Sequence, residues 1–116
     1  MDHLSLRRIG WDVIAVFTLF NDDNIQFDII CQSDDELTTY ARLVIFSFAD
    51  PADAFYSVLQ DGEGAHRNIH GYDVYSYTHG GRPGCVWYDR SSVFQLTAEN
   101  ADDVSKIAEL LISQLK

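Results

Sequence analysis

The sequence predicts an α+β fold, an antiparallel sheet of about five strands with helices on one face, in the order β-β-α-α-β-β-β-α. Three observations lead there. Residues 9–20 are apolar with period-two alternation, and a polar turn sends the chain back into a second apolar run. Two segments in the middle open with helix-start chemistry. The C-terminal segment repeats its apolar residues at helical spacing.

In the first run, Trp11, Val13, Ala15, Phe17 and Leu19 point one way, and Asp12, Ile14, Val16, Thr18 and Phe20 the other. Both faces are largely apolar beyond Asp12, which predicts an interior strand covered on two sides. Asn21-Asp22-Asp23-Asn24 is the turn, and Ile25 to Cys31 the return strand of a hairpin. Ser33 with Glu36 forms a capping-box pattern, and Asp34 and Asp35 suit the positive end of a helix dipole. The helix expected there presents Leu37, Tyr40, Ala41, Val44 and Phe48 on one face. Its second half, Leu43 to Phe48, is apolar nearly all round and also fits a strand; helix is the preferred reading.

Asp50-Pro51 starts a second helix, running through Phe55, Val58 and Leu59 and stopping at Asp61-Gly62. Gly62 to Asn68 reads as a loop. Aromatic strand formers then dominate, giving strands near 70–78, 84–89 and 92–97, with a turn at His79-Gly80-Gly81-Arg82-Pro83-Gly84. A final helix begins at a cap, Asn100, and buries Val104, Ile107, Ala108, Leu111, Ile112 and Leu115.

With 116 residues, 47% of them hydrophobic, the chain fits one domain, 1–116, with a packed core. Its net charge of -10 disfavours nucleic acid and anionic lipid as partners and favours a basic protein. That charge is segregated: between Arg8 and Arg42 there is no basic residue but seven acids, Asp12, Asp22, Asp23, Asp28, Asp34, Asp35 and Glu36. Arg7 and Arg8 before the apolar run superficially resemble a signal peptide. Asp12 interrupts the run, however, and no small-residue cleavage site follows. The run is also too short to cross a bilayer as a helix. A cytoplasmic location is expected, with Cys31 and Cys85 as free buried thiols.

No catalytic motif emerges. His66, His70, His79 and Cys85 lie close in sequence, but His66-x3-His70 would hold a metal only on one helical turn, which Gly71 argues against. Cys85 with His70 or His79 could form a nucleophile pair only if a cation or helix start lowered the thiol pKa, and only Arg82 is near. The acid clusters lack the alternating ligands of a calcium loop, and residues 80–84 lack the lysine of a phosphate loop. The expectation is therefore no cofactor, no metal and no catalytic set.

What remains is recognition. Asp22, Asp23, Asp28, Asp34, Asp35 and Glu36 are expected along one rim of the sheet, with Asp73, Tyr75 and Tyr77 sharing a solvent-facing side of the 70–78 strand. This points to a small acidic inhibitor, an immunity (antitoxin) protein that neutralises a toxin or nuclease domain. Its carboxylates would take the place of substrate phosphates. Alternatives are a phage-type nucleic-acid mimic, a small Cys/His enzyme, and a homo-oligomer assembled through its tyrosine-bearing face.

Overall fold

In the computed structural model, residues 10–35, 39–48 and 64–114 are described. Seven strands form one sheet: β1 (Trp11–Phe20), β2 (Asn24–Ser33), β3 (Tyr40–Phe48), β4 (Ala65–Ile69), β5 (Tyr72–His79), β6 (Arg82–Asp89) and β7 (Ser92–Thr97). A C-terminal helix, α1 (Ala101–Gln114), follows. The sheet order is β1-β2-β3-β7-β6-β5-β4. Every neighbouring pair is antiparallel. Two meanders, β1-β2-β3 and β4-β5-β6-β7, are thus joined by the β3–β7 pairing.

The five-strand expectation, with the order β-β-α-α-β-β-β-α and helices packed on one face, is overturned. The molecule is mostly sheet, and α1 is the single helix among the described residues. The helix expected over the second half of 33–48 is the strand β3. It lies between β2 and β7, with Ala41 and Leu43 buried on one face and Val44 on the other. A strand buried on both faces needs apolar residues at every position, so the run Leu43–Phe48 carries no period that distinguishes it from a buried helix. Its β-branched and aromatic content, Val44, Ile45, Phe46 and Phe48, was the signal for a strand. Ser33 ends β2, and its Oγ accepts from the Asp35 amide at 3.3 Å; Glu36, the other half of the expected capping box, lies outside the described residues. Residues 65–68, within the segment expected as loop, belong to the strand β4. The helix expected from Asp50-Pro51 to Leu59 lies outside the described residues.

The turns have clear local causes. His70 and Gly71 both adopt positive φ between β4 and β5, as do Gly80 and Gly81 between β5 and β6, the conformation of type I′ hairpins. The Asn68 side chain accepts from the Gly71 amide at 3.0 Å and closes the first of these turns. At the start of α1, the Asp103 amide donates to Asn100 Oδ1 and Asn100 Nδ2 donates back to Asp103 Oδ2, both at 2.9 Å. This reciprocal cap satisfies a backbone donor that the helix cannot satisfy internally.

Helix α1 buries Val104, Ile107, Ala108, Leu111 and Ile112 in a cluster with Val74, Cys85, Trp87 and Leu96 of the sheet. The same cluster continues across the sheet through Leu43, Ala41, Ile29, Cys31 and Trp11. Trp87 is fully buried and stacks on Phe94 at 5.3 Å between centroids. The opposite face carries a smaller cluster of Tyr75, Val86 and Val93, flanked by Phe46, Phe48, Tyr77 and Tyr88. No helix among the described residues is long and apolar enough to cross a membrane.

Candidate protein-interaction site

Strand direction decides which acids meet. β2 and β7 are each antiparallel to β3, which lies between them, so they run the same way and end at the same end of the sheet. Asp34 and Asp35 follow β2 there, anchored by a 2.8 Å bond from the Asp34 amide to the Gly10 carbonyl. Glu99, Asp102 and Asp103 follow β7 at that end, on the connection into α1 and in its first turn. Two strand spacings, about 10 Å, separate the two groups across the sheet. Asp34, Asp35, Glu99 and Asp102 are all exposed. The result is an anionic rim built from two chain segments more than sixty residues apart.

The other acids singled out from the sequence lie elsewhere. Asp22 and Asp23 are exposed in the β1–β2 turn, at the opposite end of β2. Ten residues of strand separate them from Asp34, a distance of about 30 Å, so the two clusters do not share a rim. Asp28 sits mid-strand and is neutralised within the sheet. Arg42 on the neighbouring β3 donates to both of its oxygens, at 2.7 and 2.5 Å. This hydrogen-bonded pair holds the Asp28 carboxyl below its ordinary pKa and raises that of Arg42. Glu36 lies outside the described residues.

Asp73, Tyr75 and Tyr77 do share one face of β5, opposite Val74. Tyr75, however, is buried against Val86 and Val93, not open to solvent. His66 lies beside it, ring centroids 5.0 Å apart, and His66 Nδ1 is 3.0 Å from both Asp73 oxygens. Tyr77 is half-buried; its hydroxyl accepts from Gln95 Nε2 at 3.1 Å, and burial raises its pKa. Its ring lies over Gly84, where an added Cβ would come within 2.9 Å of it. These tyrosines are packing groups first.

The histidine and cysteine candidates separate. Among the described residues, no three His, Cys, Asp or Glu side chains are grouped to hold a metal ion. Cys85 is fully buried under α1, and burial pushes its thiol up to about 12; the buried Cys31 thiol is pushed up to about 11. A thiol held protonated and away from solvent cannot act as a nucleophile at neutral pH. A cleft of about 820 Å³ lies between β4–β6 and the first turns of α1, lined by Arg67, Ser76, Pro83, Gly84, Val104 and Ser105. Among the described residues Arg67 is its one charged lining group, and its guanidinium donates to Ser105 Oγ at 3.0 Å.

The carboxylates around Asp34 and Glu99 are thus brought to one end of the sheet from separate segments of the chain. No protein-family model matches this chain, and neither a curated protein nor a solved structure is significantly similar to it.

Proposed function

We propose that this protein is a small cytoplasmic inhibitor of the immunity (antitoxin) kind, which docks its anionic rim onto the basic cleft of a toxic enzyme such as a nuclease. The observation that carries this reading is the convergence of Asp34, Asp35, Glu99 and Asp102 at one end of the sheet of a chain with net charge -10. Such a field raises the encounter rate with a basic surface by 10-fold to about 1,000-fold at low salt. Carboxylates presented by backbone-anchored turns mimic a row of phosphates without large ordering cost on binding. Two free, buried thiols support a reducing compartment.

The test begins with affinity purification from the native cell and assay of the recovered partner with and without the protein. A stoichiometric basic partner whose activity is suppressed is the expected result. Recovery of acidic partners alone, or of none, overturns the proposal. With the partner in hand, neutralising Asp34, Asp35, Glu99 and Asp102 together should slow association roughly tenfold or more at low salt. Neutralising Asp22 and Asp23 should have a smaller effect. The reverse ranking would place the docking face at the β1–β2 turn.

A further inference from the structure

Strand β1 is an edge of the sheet, yet its composition is that of an interior strand. Phe20, Phe17 and Val16 are 80, 58 and 57% exposed, and Ile14 and Leu19 are each about half exposed. No charged residue occurs from Val13 to Phe20, and no proline or lysine blunts the edge. Its one irregularity is a bulge between Val13 and Ala15, which leaves Ala15–Phe20 as a regular six-residue segment paired with β2 on one side. An edge strand presents alternate backbone N–H and C=O groups outward, and those of a regular segment are ready to pair.

We propose that two copies of this chain associate through β1, with Ala15–Phe20 pairing antiparallel to itself across a two-fold axis and joining the two sheets. Three considerations favour a second copy as the occupant. A two-fold axis through a strand makes the pairing antiparallel, the geometry used by every other pair in this sheet. Within the segment every residue but Thr18 is apolar and none is charged, so self-pairing sets mainly apolar side chains against one another. The exposed side chains of β1, with Ile25 beside Phe20, offer on the order of 500 Å² of apolar surface per copy. Two copies together could bury at most about 1,000 Å², the lower bound for a specific interface. The pairing sets the Asp22–Asp23 turn of each copy near Asp12 of the other, so association works against like charge and should strengthen with added salt.

Sedimentation equilibrium of the full chain, with Val16→Lys as the variant, tests this directly. The wild type should be a dimer at micromolar concentration and the variant a monomer with an unchanged circular dichroism spectrum. In parallel, hydrogen exchange on the wild type should show amides of Ala15–Phe20 becoming protected as concentration rises. A wild type that stays monomeric, or a dimer that Val16→Lys leaves intact, overturns the proposal. So does protection of those amides that is independent of concentration, which would mean that the chain covers its own edge. So does protection that appears only when a different protein is added.

Discussion

The two edges of this sheet are built on opposite principles. β4 is five residues long, and His66, Arg67 and Asn68 form its exposed middle. Two of these are tied down, His66 to Asp73 on the next strand and Arg67 to Ser105 on the helix. β1 is twice as long, uncharged beyond Asp12, and carries phenylalanines into solvent. Short, polar and pinned is how a sheet keeps an edge from recruiting another strand; long, regular and apolar is how it invites one. The difference teaches that edge position alone does not determine edge chemistry.

The comparison can be broken or sharpened by substitution, and the largest effect lies in the sheet interior, away from both edges. Trp87→Ala, in the fully buried centre, should cost about 3–5 kcal/mol in chemical denaturation, since it removes both the ring and its stack on Phe94. At the polar edge, Arg67→Ala removes the link to α1 and should cost about 0.5–1.5 kcal/mol in the same measurement. Inside the apolar meander, Asp28→Asn should cost no more than about 1 kcal/mol, because the Arg42 side chain is half exposed and solvent screens the pair. Its signature is the pH dependence. The folded carboxyl titrates below its unfolded value, so the contribution is complete above the ordinary carboxylate pKa and disappears as pH falls through the lower folded value. Acid titration of stability should therefore flatten in Asp28→Asn. Val16→Lys, at the apolar edge, should leave the stability of the monomer within about 0.5 kcal/mol while changing its association. A large loss of monomer stability there would mean that β1 behaves as core.

Much of the local structure is readable from residues alone. The β1–β2 hairpin, the aromatic strands β5 to β7 and the capped C-terminal helix each carry their own periodicity and their own turn or cap, as at Gly80-Gly81 and Asn100. The failures share one physical origin. Leu43–Phe48 looks alike as helix or strand because burial on both sides erases periodicity, and only its place between β2 and β7 decides. β1 reads as an interior strand by the same logic and turns out to be an edge, since sheet order is not written into any one segment. The short β4 carries too few apolar residues to rise above a loop. For the candidate site, Asp34 and Asp35 stand out by charge. Glu99 and Asp102 look like ordinary acids at a helix start, and their meeting depends on the long-range β3–β7 pairing. Tyr75 is buried although its polar neighbours suggest solvent, because a period-two pattern assigns a face without saying what covers it.

That central pairing also has a kinetic meaning. Three tight turns let β4 to β7 zip up through contacts between near neighbours in sequence, and β1 and β2 can do the same. Joining β3 to β7 sets Ser47 against Ser92, so a long loop must close before any of its contacts is gained. Folding should accordingly pause with two preassembled halves, and changes along the β3–β7 seam should slow refolding more than they hasten unfolding.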